Sequence, residues 1–220
     1  MIKAVIFDFD GLIVDTESVW YQAYRDVLEE YGIGLSIERF SQVVGTTNGV
    51  LYDYLHSISG GQRMDPDVIE RAADERFEAL MATPALREGV SYYLEAAKQE
   101  GLKIGLASSS SQGWVEGYLK RFGIYDYFET IQTKNHVKYV KPHPELYHRA
   151  VEALGINPDE ALAFEDSLNG LKAARGAGLK CVIVPNSVTA HLPFEDYTHR
   201  LSSMSELEFN QLLEQVDKKR

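Results

Sequence analysis

A single cysteine, Cys181, is all that the 220-residue chain contains, so no disulfide can form within it. The K-C-V-I-V run around it reads as core strand and the thiol as a packing group. No apolar run approaches the ~20 residues that a membrane span requires. The amino terminus enters a strand without a basic region and a cleavage site. We therefore expect a soluble, cytoplasmic protein. Positive charge is also scarce, with 22 Lys and Arg against 33 Asp and Glu and a formal net charge of −11. The acids are spread along the chain, which argues against nucleic acid or an anionic membrane as partner. A small anionic substrate would then need local positive charge or a metal ion. The histidines, His56, His136, His143, His148, His191 and His199, show no H-x-H or H-E-x-x-H spacing, which makes a histidine-bound zinc site an unlooked-for outcome. Internal repeats and low-complexity segments are absent too.

What the chain does have is a 45% hydrophobic composition, enough for a sizeable core, and a marked change of pattern along its length. The opening run Ala4-Val5-Ile6-Phe7 reads as a buried parallel strand that ends in acids, Asp8 and Asp10. From Thr16 to about Pro84 the periodicity is helical. Trp20, Tyr24, Val27, Leu28 and Tyr31 fall three and four apart, Asp15 or Thr16 caps this helix, and Gly32 stops it. Further helices are expected from about Ser36 to Val44, Gly49 to Ile58, and Pro66 to about Met81, with Ser59-Gly60-Gly61 as a loop. Trp20 and Tyr24 fit core packing at this spacing, although they and Tyr21 also suit a sugar pocket.

After a hinge-like stretch at Ala85 to Gly89, helix and strand alternate. Helices are expected at Val90 to Glu100, Gly113 to Phe122, His143 to Leu154, and Leu168 to Ala177. Strands are expected at Leu102 to Ala107, Tyr127 to Gln132, Ala161 to Phe164, and Lys180 to Val184. An edge strand at His199-Arg200-Leu201 and a last helix at about Glu206 to Val216 complete the pattern. Such alternation implies an α/β fold, a Rossmann-like parallel sheet with helices on both faces and ligands beyond the carboxyl ends of its strands. The helical block, residues 16–84, is then an insertion after the first strand, and residues 1–15 and 85–220 form the core.

Chemistry-bearing residues gather at those strand ends. Asp8 and Asp10 lean to one side of extended backbone, and such close like charges call for a cation between them. Ser108-Ser109-Ser110-Ser111 leads into a helix, where hydroxyls and unpaired amides hold anions, though an ordinary helix cap reads the same way. No G-x-S-x-G surrounds these serines, which speaks against a serine nucleophile. Pro142 and Pro144 stiffen the loop that presents Lys141, a compact charge suited to an anion. Glu165 and Asp166 close the fourth strand with hard oxygen donors of the kind that suit Mg²⁺. The glycines from Gly170 to Gly178 lie inside a helical pattern and read as packing, not as a dinucleotide loop.

In this order the motifs F-D-F-D-G-L-I-V-D-T-E, L-A-S-S-S, V-K-P-H-P-E-L-Y and A-F-E-D-S-L-N-G-L-K-A-A make the chain closely resemble the haloacid dehalogenase-like hydrolases, specifically their sugar-phosphate phosphatase and beta-phosphoglucomutase-like subgroup. The resemblance covers nearly the whole chain and implies that the insertion is a small all-helical cap domain. It implies that Asp8 is the nucleophile, giving an aspartyl-phosphate, and that Asp10 is the acid and then the base. It implies that Ser108 and Lys141 hold the phosphoryl group, with Ser109 and the Gly11 backbone as further contacts. Mg²⁺ would be held by Asp8, the Asp10 backbone carbonyl and Asp166, with Glu165 as ligand or as orienting partner. Asp10 favours phosphate esters over the family's dehalogenase and phosphonate chemistries. Where the beta-phosphoglucomutases carry a histidine and an arginine, this chain has Trp20 and Asn48, which favours a phosphatase acting on a small phosphorylated metabolite, in particular a sugar phosphate. A phosphosugar mutase and a non-catalytic phosphometabolite-binding module remain the alternatives. A monomer is expected.

Overall fold

The computed structural model describes residues 1–41, 53 and 65–218. Of the expected helix at Gly49 to Ile58 only Asp53, which is helical, is described, and the Ser59-Gly60-Gly61 loop, His56, Asn48 and the end of the helix from Ser36 lie outside the described residues.

Strands β1 (Ala4–Phe7), β2 (Lys103–Ala107), β3 (Thr130–Gln132), β4 (Ala161–Glu165), β5 (Lys180–Ile183) and β6 (His199–Arg200) form one sheet in the order β3-β2-β1-β4-β5-β6. Every pairing is parallel. All residues of β1 and β4 are buried, because parallel strands covered on both faces have no solvated side. Helices α1 (Thr16–Glu30), α2 (Ile37–Ser41), α3 (Pro66–Leu80), α4 (Val90–Gln99), α5 (Gln112–Arg121), α6 (Glu145–Leu154), α7 (Leu168–Gly176) and α8 (Phe209–Lys218) are the α-helices among the described residues.

One face of the sheet packs Val5, Phe7 and Phe164 against Tyr93, Leu94 and Leu212 from α4 and α8. The other packs Ile6, Ala163 and Ile183 against Leu146, Tyr147 and Leu171 from α6 and α7. Each fully buried large side chain contributes about 1.5–3 kcal/mol, so both faces are needed to offset chain entropy. Helices α1, α2 and α3 share a separate cluster, Tyr24, Val27, Leu28, Phe40, Ile69 and Ala73, which Val188 joins from the loop beyond β5. Asp15 caps α1, accepting from the Ser18 amide at 3.1 Å.

Chain order reverses across β1, since β2 and β3 lie on one side of it and β4, β5 and β6 on the other. The crevice at the carboxyl ends of β1 and β4 is thus a topological switch point, where such sheets bind ligands. Three expected element starts move by two residues or more. Tyr125–Tyr127 is a 3₁₀ turn, and the strand begins only at Thr130. Helix α6 starts at Glu145, after Pro144, because its first turn follows the proline-stiffened loop. Helix α8 starts at Phe209 instead of Glu206, whose carboxylate is bound to the Ser202 amide and hydroxyl.

Candidate active site

The register of three strands assembles the site. Phe7 lies opposite both Leu106 and Phe164, so the residues just beyond them, Asp8 from β1, Ser108 from β2, and Glu165 and Asp166 from β4, come together. The Asp8 amide continues the ladder, donating to the Phe164 carbonyl at 3.0 Å. Lys141 reaches in from the loop before α6. That loop is fixed by the Glu145 carboxylate, which accepts from the amides of Lys138 and Tyr139.

Lys141 Nζ lies 2.6 Å from Asp8 Oδ1 and 2.7 Å from Glu165 Oε1. All three groups are buried, with Glu165 at 0% exposure, Asp8 at 7% and Lys141 at 8%. Burial lowers the affinity of Lys141 for its proton, but Asp8 and Glu165 overcome this and hold the ammonium firmly charged. Tyr147 donates to Glu165 Oε1 at 2.5 Å. Glu165 Oε2 is left as the buried side-chain oxygen without a hydrogen-bond partner among the described residues. Burial and Asp8 push the Glu165 carboxyl up to about 7 against the pull of Lys141. Asp166 is pushed up as well, by burial first and then by Asp8 and Glu165. Its Oδ2 accepts from Asn186 Nδ2 at 2.7 Å.

Asp8, Glu165 and Asp166 each offer an oxygen within 4.8 Å of the other two. Three buried carboxylates face one ammonium, and one oxygen has no donor, so the cluster fits a hard dication. Two glycines make the cluster possible. A Cβ at Gly11, where φ is +75°, would stand 2.1 Å from Asp166 Oδ2, and one at Gly170 would stand 1.8 Å from Glu165 Oε2. The Gly11 amide is already engaged by the Val14 carbonyl and Thr16 Oγ1. Its carbonyl accepts from Arg87 at 2.5 Å and from Asn186 at 3.3 Å. Gly11 therefore shapes the site through the space it leaves.

Asp10 is not part of the carboxylate cluster of Asp8, Glu165 and Asp166. Its oxygens meet Ser110 Oγ at 2.5 Å, Trp114 Nε1 at 3.0 Å, Thr16 Oγ1 at 3.2 Å and Ser108 Oγ at 3.5 Å. Burial raises its affinity for a proton, Ser110 opposes this, and Asp8 adds to it. Asp8 and Asp10 thus sit in different surroundings, one against an ammonium and the other among neutral donors. Ser108 is fully buried, while Ser109 is exposed on the wall of the pocket.

A pocket of about 880 Å³ opens over Asp8, Asp10, Ser108 and Lys141, and Glu17, Trp20, Asp74, Phe77, Trp114 and Lys134 are among its walls. Trp20 is stacked on Phe77 at 3.9 Å, so the residue expected to pack also lines the pocket. Glu17 is pushed up to about 8 by burial and by Asp10, Asp8 and Asp15. Sequence reasoning missed Ser110, Trp114, Tyr147 and Asn186. The first stood in the S-S-S-S run and went unselected, and helical spacing gives no sign that the indole of Trp114 or the phenol of Tyr147 turns to a carboxylate.

Residues 5–184 match the family model described as haloacid dehalogenase-like hydrolase. The chain is 50% identical to YhcW of Bacillus subtilis (strain 168), over 99% of each chain. It is 31% identical to hexitol phosphatase B of Escherichia coli (strain K12), over 96% of this chain and 97% of that one. Among solved structures it matches CbbY from Rhodobacter sphaeroides in complex with xylulose-(1,5)bisphosphate at a TM-score of 0.73 and 33% identity, over 94% and 96% of the two chains. Fold, site and relatives agree: the chain belongs to the haloacid dehalogenase-like hydrolases, in their sugar-phosphate phosphatase and beta-phosphoglucomutase-like subgroup, and is an enzyme of the phosphatase type.

Proposed function

We propose that the protein hydrolyses the phosphate monoester of a small sugar or polyol through an aspartyl-phosphate on Asp8. The observation that carries this reading is the separation of the two aspartates: Asp8 lies 2.6 Å from Lys141 Nζ, whereas Asp10 lies among neutral donors. An ionised carboxylate beside an ammonium suits attack on phosphorus, and a carboxyl raised by burial suits proton donation. Asp8 attacks phosphorus as the ester bond breaks, and Asp10 gives its proton to the departing alcohol. Asp10 then takes a proton from the water that hydrolyses the aspartyl-phosphate. Lys141 balances charge at Asp8, and the Ser108 hydroxyl orients the phosphoryl group. Asp8, the Asp10 backbone carbonyl and Asp166 would hold Mg²⁺, with Glu165 as ligand or orienting partner. When bound, the ion would neutralise charge that Lys141 alone does not offset.

Residues 16–84 act in this reading as a cap. The outgoing and returning chains run together at its base, where Val14 bridges Leu86 and the Arg87 amide donates to the Ile13 carbonyl at 2.9 Å. Trp20 and Phe77 offer an apolar wall to a sugar face, and Glu17 offers polar contact to hydroxyls. Asp74 and Glu78 on α3 also line the pocket and disfavour a second phosphate there, which favours hydrolysis over mutase chemistry.

A phosphate-release screen over sugar and polyol monophosphates, bisphosphates and nucleotides, with and without Mg²⁺, tests the reading. Mg²⁺-dependent release from monophosphates, lost in Asp8→Asn, is expected. Conversion of beta-glucose 1-phosphate to glucose 6-phosphate would favour the mutase, and tight binding without turnover the binding module.

A further inference from the structure

The two oxygens of Asp10 are not equivalent. Oδ1 accepts from Trp114 Nε1 at 3.0 Å and from Thr16 Oγ1 at 3.2 Å. An indole N–H donates and never accepts. Thr16 Oγ1 accepts from the Gly11 amide at 3.1 Å and donates its own proton to Asp10 Oδ1. Oδ1 therefore faces two donors and has no place for a proton of its own. Oδ2 faces the hydroxyls of Ser110 at 2.5 Å and Ser108 at 3.5 Å, which rotate and serve as donor or acceptor.

We propose that Trp114 is a positioning residue for Asp10: its indole N–H reserves Oδ1 and leaves Oδ2 to exchange the proton with the leaving oxygen. The inference rests on the acid and base role given to Asp10 above. As the bond from Asp8 to phosphorus forms and the ester bond breaks, the proton on Oδ2 passes to the leaving oxygen, giving a neutral alcohol and an Asp10 carboxylate. In the second half, water bonds to phosphorus, its proton returns to Oδ2, and the bond from Asp8 to phosphorus breaks.

The same indole is braced from the side of the inserted helices. Its ring lies 5.9 Å from Phe77 of α3, which is stacked on Trp20 of α1, and 4.7 Å from Tyr118 of its own helix. The ring that holds the acid is thus also a wall of the pocket, so the orientation of Asp10 depends on the packing of α1 and α3 over the site.

Trp114→Phe keeps an aromatic ring and removes the N–H. A sugar alkoxide leaves poorly without a proton, whereas p-nitrophenolate leaves without one. We expect Trp114→Phe to lose about 10- to 100-fold in the first-turnover rate of alcohol release from the preferred sugar phosphate, the step in which Asp10 is the acid and a part of the 10²–10⁴-fold that a positioned acid supplies. For p-nitrophenolate release from p-nitrophenyl phosphate in the same first turnover, before the base step that both substrates share, the loss is expected to be at most about 3-fold, which also reports that the variant is folded. Trp114→His, which restores a ring N–H, should recover part of the sugar phosphate rate. Equal losses on both substrates, or no loss on either, would overturn the positioning role. Asp10→Asn separates the two layers. If it too fails to distinguish the substrates, the reading of Asp10 falls and this inference with it. If it distinguishes them and Trp114→Phe does not, only the role of Trp114 falls.

Discussion

At the scale of single residues, the site is a problem of buried like charge. Asp8, Glu165 and Asp166 share one close ammonium, Lys141, and tolerate each other only because Gly11 and Gly170 leave them room. Gly11→Ala would drive a methyl group into Asp166 and strain a backbone held at φ +75°. We expect it to lower Mg²⁺ affinity at least ~10-fold, as loss of an orienting contact does, measured by isothermal titration calorimetry. Glu17 gives a pH signature. Its carboxyl is raised from 4.5 to about 8, so between these values the folded state holds a proton that the unfolded chain has released. Stability therefore falls as pH rises through that window. Glu17→Gln should melt close to the parent at pH ~5 and above it at pH ~9, and an equal shift at both pH values would contradict this. That Asp8, Asp10, Lys141, Glu165 and Asp166 would lie near one another was legible in the sequence, because the strand ends of a parallel sheet and the loops beyond them converge on one crevice. Trp114, Tyr147 and Asn186 were not, because each reaches the site by a side-chain direction that only packing decides.

Elements set where those residues meet. Helix and strand order was readable throughout the alternating region, since apolar runs of four or five residues between helical periods leave few other assignments. Boundaries failed where local hydrogen bonds compete with periodicity, as at the 3₁₀ turn Tyr125–Tyr127 and at Glu206. The joint between elements depends on Arg87. Its guanidinium donates to the carbonyls of Gly11, Val184 and Pro185 at 2.5, 2.9 and 2.8 Å, tying the loop after β1 to the end of β5. Composition suggested only a hinge there, because partners far away in sequence are invisible in a five-residue stretch. Arg87→Met leaves these three carbonyls without the donor and should cost about 2–4 kcal/mol in urea unfolding, whereas Arg87→Lys should recover part of that loss.

The whole molecule carries a net charge of −11, yet the acids that matter are concentrated at one end of the sheet. No helix among the described residues is long and apolar enough to cross a membrane. If a dication relieves the repulsion among Asp8, Glu165 and Asp166, it binds the folded chain and not the unfolded one. Mg²⁺ at a hundredfold excess over its Kd should then add about 2.7 kcal/mol of stability. In a melting experiment this is a rise of several degrees for the parent and little or none for Asp166→Asn, with Ca²⁺ and Na⁺ as comparators. The central claim, however, is covalent: the phosphoryl group passes through Asp8. The most direct measurement is acid quenching during turnover of a substrate with radiolabelled phosphate, followed by digestion and mapping of the labelled peptide. We expect hydroxylamine-sensitive label on the peptide that contains Asp8, and none in Asp8→Asn, whose phosphate release should fall by more than about 10³-fold. Phosphate release that persists in Asp8→Asn, with no labelled peptide from the parent at any quench time, would contradict the account.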